Sequence, residues 1–330
     1  MPANLTPQYL RAEEKYKKAR DDAEKLEALK EMLALIPKHK GTEKLQADIK
    51  RKIANLRESL KSKKNIKRSD LSRIPKEGAA RISLVGFPNS GKSSFLNLVT
   101  KAKSKVAPFP FSTRVPEVGM MNWGGIQFQI IDLPPLSTEY VEPFVFNLIR
   151  SSDFLLIFVD LSTLAPMEDI EVLCDILKDK KILLKKEDVQ EFGDNFLYIK
   201  SLFLLNKVDI EEGEESAEVV EEFFRESFEF YRISLHEFKI DYKEFIGKRI
   251  FESLDLIRVF TKEPGRKLVE SDPPFVLKRG DNVGDLCLKI HKEIFEKFKF
   301  ARVWGNPPYD GIKVTKDFLL EDGMIVEIHI

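Results

Sequence analysis

The chain's 330 residues are about twice the length usual for one domain, and at 43% hydrophobic and 33% charged they are too apolar for disorder. Lys and Arg number 54 and so do Asp and Glu, so no global charge draws the protein to nucleic acid or membrane, and any such patch must be local. Cys174 and Cys287 stand far apart, which excludes a disulfide framework and a cysteine-based zinc site. No run approaches the roughly 18 apolar residues of a membrane span and the start has no apolar signal core, so a cytoplasmic protein without membrane insertion is expected.

Residues 1–70 carry almost no strand signal. Thr6-Pro7 reads as a helix cap followed by proline at the first helical position. Tyr9, Tyr16, Ala19, Ala23, Leu26, Leu29, Leu33 and Ile36 then recur at helical spacing, predicting one long amphipathic helix. Ile36-Pro37-Lys38-His39-Lys40-Gly41 breaks it, and Leu45, Ile49, Ile53, Leu56 and Leu60 stripe a second helix, so a helical hairpin is predicted. Its exit is basic, with Lys61, Lys63, Lys64, Lys67 and Arg68, either a solvated linker or an RNA or phosphate contact.

Across residues 80–255 short apolar runs alternate with helical patterns. Arg81–Val85, Phe128–Ile131, Phe154–Val159 and Leu202–Leu205 read as strands, which predicts an α/β domain with a largely parallel sheet and a last helix from Asp241 to Leu254. Glu211–Glu222 reads as a solvated loop and helix start. Residues 257–330 predict a small mixed α+β unit, with strands at Ile257–Phe260, Phe275–Lys278 and Met324–Ile328. One helix pattern runs from Val283 to Phe298, and Asp272-Pro273-Pro274 and Asn306-Pro307-Pro308 mark turns.

Gly86-Phe87-Pro88-Asn89-Ser90-Gly91-Lys92-Ser93 fits G-x-x-x-x-G-K-[ST] between a strand and the helical pattern Ser94–Val99. Such a loop wraps phosphates with its backbone N–H groups, and the following helix N-terminus adds positive partial charge. Asn89, Ser90, Gly91, Lys92, Ser93 and Ser94 are therefore candidate nucleotide-binding residues. Lys92 is suited to the β- and γ-phosphates and the Ser93 hydroxyl to Mg²⁺.

Asn206-Lys207-Val208-Asp209 follows a later strand, where the carboxyl ends of parallel strands meet ligand. A carboxylate at Asp209 can accept both N1–H and the 2-amino group of guanine, a donor pair that adenine lacks, so GTP and GDP are the expected ligands. Ile233-Ser234-Leu235 closes another strand-like run, and the backbone at Ser234 and Leu235 could cap the guanine O6. Phe109-Pro110-Phe111-Ser112-Thr113 offers Thr113 as a second hydroxyl for Mg²⁺ that only GTP would order. Asp132, ending Phe128–Ile131, is placed to hold the metal through water.

These residues resemble the Obg/DRG branch of P-loop GTPases. The resemblance rests on GFPNSGKSS (86–94), PFPFSTRVPEVG (108–119), IDLP (131–134) and NKVD (206–209). In addition, RGDNVGDLCLKIHKEIFEKFKFARVWG (279–305) and LEDGMIVEIHI (320–330) resemble the TGS module of the DRG proteins. It implies a Ras-like α/β domain followed by a ubiquitin-like β-grasp domain. It also implies GTP hydrolysis linked to ribosomes, RNA or a partner protein, through the TGS domain and the helical hairpin. Asn89 matches the asparagine that holds K⁺ in related GTPases, so Lys92, Thr113 and Asn89 are the implied catalytic set.

The chain departs from that pattern at one place. The family's switch reads D-x-P-G, whereas here it is Asp132-Leu133-Pro134-Pro135, and proline has no N–H to offer the γ-phosphate. Leu136 stands where a water-orienting glutamine often lies, Leu136–Tyr140 replaces a glycine-rich stretch, and no inserted domain follows Asp160. Two expectations follow: a slow Mg²⁺-dependent GTPase switch, or a guanine-nucleotide module that scarcely turns over. Trp304 and Tyr309 either pack a small core or serve recognition.

Overall fold

A computed structural model describes residues 7–18, 22–36, 42, 46–54, 74–100, 115–185, 195–237, 239–265, 273–305 and 310–330. Its chain separates into two compact units, one ending at Ile74 and the other beginning at Pro75.

Among its described residues the first unit holds three helices where two were expected: α1 (Pro7–Lys18), α2 (Asp22–Leu35) and α3 (46–54). Tyr9 and Ala12 of α1 share one core with Leu29 and Met32 of α2, Ile36 just beyond it, and Ile49 and Ile53 of α3. On a single straight helix Tyr9 and Met32 would lie about 35 Å apart, so their place in one core means that α1 and α2 are not one straight helix. The apolar spacing was compatible with both arrangements because each helix keeps its own stripe. Lys15 and Glu31 pair across the two at 2.9 Å. Leu56, Leu60 and the basic run from Lys61 to Arg68 lie outside the described residues.

In the second unit a seven-stranded sheet runs β2-β3-β1-β4-β6-β5, with β7 also on β6. Its strands are β1 (Ala80–Gly86), β2 (Glu117–Trp123), β3 (Ile126–Asp132), β4 (Phe154–Asp160), β5 (Ile182–Lys185), β6 (Leu197–Asn206) and β7 (Phe230–Ile233). All pair in parallel except β2 with β3. Strands β1 and β4 are buried along their whole length, as central strands covered on both faces must be. The helices are α4 (Lys92–Val99), α5 (Pro143–Arg150), α6 (Pro166–Asp179), α7 (Gly213–Phe224) and α8 (Ile240–Ser253). Phe95 and Leu96 of α4 and Ile246 and Ile250 of α8 fill one core with Ile82, Leu84, Phe128, Phe154 and Phe158.

A second sheet runs β11-β10-β12-β8-β9, built from β8 (Leu256–Lys262), β9 (Phe275–Lys278), β10 (Phe300–Trp304), β11 (Asp310–Val314) and β12 (Ile325–His329). Helix α9 (Val283–Ile290) packs Val283, Leu286 and Cys287 onto its inner face, the β-grasp arrangement that the resemblance implied. The helix predicted from Val283 to Phe298 is broken. His291 leaves the helical region at φ −170° and its ring accepts the Glu293 N–H, which starts α10 (Lys292–Lys297). Tyr309 lies outside the described residues, and Trp304 lies on β10 with the Lys262 ammonium 3.7 Å from its ring centre.

The two sheets meet at Arg258. Its guanidinium lies over Trp123 and Phe251 and donates to the Gly124 carbonyl at 3.0 Å in the two-glycine turn between β2 and β3. Its Nε and Nη2 chelate Asp322 at 3.0 and 2.7 Å, and its backbone N–H donates to the same carboxylate. Burial pushes the Asp322 carboxyl up, but these Arg258 donors outweigh it and hold the group below the ordinary aspartate value. The ionised form therefore stabilises the fold above the ordinary value, and that stabilisation is lost as the pH falls through the lowered one. Asp322→Asn should cost about 1.5 kcal/mol near neutral pH. Thermal melts across pH should show the penalty fading as the pH falls below the ordinary aspartate range; a penalty independent of pH would mean that packing, not charge, holds this joint.

Candidate guanine-nucleotide site

The carboxyl edge of the first sheet gathers most of the residues singled out from the sequence. Strand β1 ends at Gly86, the loop turns through Asn89 at φ 64°, and α4 begins directly at Lys92. The loop can be this tight because Gly91 sits at φ 103°, where an added Cβ would overlap Asn206 Nδ2 and come within 2.8 Å of Leu235 Cδ1. Ser90 is buried and Ser93 and Ser94 are exposed on the first turn of α4.

Lys92 is 6% exposed, and its ammonium donates to the carbonyls of Phe87 (2.8 Å) and Gly86 (3.1 Å) and to Ser90 Oγ (3.3 Å). All three N–H donors are engaged inside the loop. Burial pushes its pKa down to about 8, against the pull of Asp132. The Asp132 carboxyl is itself raised by burial, opposed by the Ser93 hydroxyl and by Lys92.

Asp132 ends β3, and its Oδ2 accepts the Ser93 hydroxyl. Its other oxygen, Oδ1, is buried and has no hydrogen-bond partner among the described residues. A buried carboxylate oxygen without a donor, beside a serine hydroxyl, is the donor set that a hard divalent cation takes. Thr113 lies outside the described residues.

At the end of β6, Asn206 Nδ2 donates to the Ser90 carbonyl at 2.9 Å, tying the phosphate loop to the base motif. The Leu235 N–H donates to Asn206 Oδ1 at 3.4 Å, so presenting that amide to a base oxygen requires this long contact to open. Ser234 is buried in the turn after β7, where its hydroxyl accepts the Glu237 N–H at 3.1 Å. Asp209 is exposed and makes no ion pair or hydrogen bond with other described residues, which leaves its carboxylate open to a ligand.

Lys207 turns away from the loop. At φ 72°, it sends its ammonium to Asp160 Oδ2 at 2.5 Å and to Ser162 Oγ at 2.9 Å. Neither Asp160 nor Ser162 was picked out from the sequence, although a carboxylate at the carboxyl end of a central strand was a usable signal.

The segment after Asp132 folds back on the phosphate loop. Leu136 donates its N–H to the Gly86 carbonyl at 3.1 Å and buries its side chain, 1% exposed. Pro135 offers no N–H, and the neighbouring amide that could substitute for it is already engaged.

Residues 81–207 match the family model described as a 50S ribosome-binding GTPase, and residues 257–330 match the TGS domain. An uncharacterised GTP-binding protein of Methanocaldococcus jannaschii is 28% identical over 372 aligned positions, covering 92% of each chain. Developmentally-regulated GTP-binding protein 2 of Homo sapiens is 25% identical over 92% of this chain and 98% of its own. Developmentally-regulated G-protein 1 of Arabidopsis thaliana is 27% identical, over 92% and 90%. The phosphate loop, the base motif and both family matches fall in one order along one chain, which carries a P-loop GTPase domain followed by a TGS domain and is similar over 92% of its length to the developmentally-regulated GTP-binding proteins.

Proposed function

We propose that this protein is a Mg²⁺-dependent guanine-nucleotide switch that hydrolyses GTP slowly. The observation that carries it is the tie from Asn206 to the Ser90 carbonyl, which holds the base motif beside the phosphate loop, as a single nucleotide reaching both would need. Asn89, Ser90, Gly91, Lys92, Ser93 and Ser94 take the phosphates. Asn206, Lys207, Asp209, Ser234 and Leu235 take the base. Ser93, Asp132 and Thr113 hold Mg²⁺, which when bound neutralises charge on the phosphates. Lys92 exchanges its loop carbonyls for phosphate oxygens, and Asn89 is the residue for K⁺. The functional units are 1–70, 80–255 and 257–330. The first and last are the surfaces for a ribosome, an RNA or a partner protein in the cytoplasm.

The test is single-turnover GTP hydrolysis with Mg²⁺, in K⁺ and then Na⁺ buffer, beside Lys92→Ala. Turnover that Lys92→Ala abolishes supports the switch, and faster turnover in K⁺ supports the Asn89 role. Bound GTP that never turns over removes hydrolysis from the reading.

A second reading, a module that binds guanine nucleotide with little hydrolysis, is favoured by the same segment that departs from the family. Pro135 has no N–H and the Leu136 N–H is spent on Gly86. Pro135→Gly should restore a donor and raise the preference for a GTP analogue over GDP about tenfold, the worth of one charge-assisted hydrogen bond. Equal affinity for both nucleotides in the variant would show that the segment does not read the γ-phosphate.

A further inference from the structure

Lys207 belongs to the base motif, yet its ammonium is fixed by a strand outside that motif. Asp160 ends β4 in parallel register with Asn206, the residue before Lys207, so the two strand ends lie side by side at the ligand edge. The Leu161 N–H donates to the Asn206 carbonyl at 3.1 Å, stitching the two ends together. Asp160 is 9% exposed, and its carboxylate is filled from three directions. Oδ2 takes the Lys207 ammonium at 2.5 Å, and Oδ1 takes the Ser162 N–H at 2.9 Å and the Ser162 hydroxyl at 2.6 Å. The hydroxyl also accepts from Lys207 at 2.9 Å, so Lys207, Asp160 and Ser162 close a triangle.

This triangle acts on a strained turn. Lys207 occupies the left-handed region at φ 72°, a conformation that side chains other than glycine, asparagine and aspartate seldom hold without support. The turn places Asn206 toward the phosphate loop and Asp209 toward solvent, and it must keep that shape for Asp209 to meet a base edge. A lysine stem has many rotamers, and anchoring its ammonium before ligand arrives removes that freedom from the cost of binding. The buried carboxylate has a second reason to be there, since an uncompensated charge at this depth would be costly.

We propose that Asp160, with Ser162, is a positioning residue for guanine recognition and acts through Lys207. The inference rests on the guanine-nucleotide reading above and names what holds its base clamp in shape. Disturbing Asp160 should therefore weaken the base end of the ligand and spare the phosphate end.

The experiment uses the full chain with Mg²⁺ and a fluorescent GDP, and compares wild type, Asp160→Asn, Lys207→Met and the double variant. Asp160→Asn should raise the Kd for GDP about tenfold, while the double variant should bind no more weakly than Lys207→Met alone, the signature of two groups acting as one. Competition by pyrophosphate, which engages only the phosphate loop, should match wild type in every variant. Ser162→Ala, which keeps the ion pair, should weaken GDP by about threefold, and it carries the test if Asp160→Asn does not fold. Wild-type GDP affinity in both Asp160→Asn and Ser162→Ala overturns the proposal. So does a loss that adds fully to that of Lys207→Met, or one that weakens pyrophosphate equally. A wild-type chain that binds ADP as well as GDP would instead remove the guanine reading, whatever the variants do.

Discussion

Lys92→Met should raise the Kd for GDP and for GTP at least about a hundredfold, while leaving the empty protein as stable as before or more stable. The two halves of this expectation have separate causes. The ammonium is the cation at the centre of the phosphate loop, and a charge-assisted contact to phosphate in a buried site is among the stronger single interactions available. In the absence of nucleotide the same ammonium is buried and, among the described residues, bonded only to neutral groups, the carbonyls of Gly86 and Phe87 and the hydroxyl of Ser90. Its pKa, pushed down to about 8, corresponds to a penalty of about 3 kcal/mol on the charged form at neutral pH. Methionine fills similar volume without that penalty, although it leaves the loop acceptors with fewer donors. The sign with pH follows from linkage. A lysine lowered in the folded state weighs on stability below its folded pKa, so the empty wild-type protein should gain stability as pH rises from about 8 toward 10.5, and Lys92→Met should not. Melting curves with and without GDP and Mg²⁺ read both effects. A variant that loses several degrees before any nucleotide is added would show that the three loop contacts outweigh desolvation.

Gly91→Ala should be nearly as damaging to binding and, unlike Lys92→Met, should also destabilise the fold, by about 3 kcal/mol. At φ 103° the added methyl is strained by its own backbone, and it would collide with the Asn206 amide and the Leu235 side chain. Asn206 would have to withdraw from the Ser90 carbonyl, so the base motif and the phosphate loop would separate together. Gly280 supplies the control: its φ is 96°, but among the described residues nothing lies within 4 Å of the position a Cβ would take. Gly280→Ala should therefore cost about 1 kcal/mol from backbone strain alone and leave GDP binding unchanged. Equal losses in the two variants would mean that φ, not the contact with Asn206, governs Gly91.

The phosphate loop, Asp132 and the base motif were legible because each is a short contiguous string whose chemistry depends on local spacing and on a strand before it. The core strands β1, β3, β4 and β6 were legible because their apolar runs are dense and bounded. Edge strands were harder. β2 alternates burial only loosely and carries Asn122, Gly119 and Glu117, and four-residue β5 exists because it pairs with the first half of β6. The separation of α1 from α2 and the break at His291 were missed for one reason. Helical periodicity continues across both, and what interrupts it is contact between the pieces or a cap made by a histidine ring.

By itself, the sequence determined the class of fold, the guanine-nucleotide motifs and the absence of a switch glycine at Pro135, since these depend on residue type and order. Only the tertiary structure decided what those residues do to one another. It brought Asn206 onto Ser90, Leu136 onto Gly86 and Lys207 onto Asp160 across 116, 50 and 47 residues of chain. It also left Asp132 Oδ1 buried without a donor among the described residues. Such pairings arise where parallel strands from distant segments end side by side, and no local pattern encodes which strand ends will be neighbours.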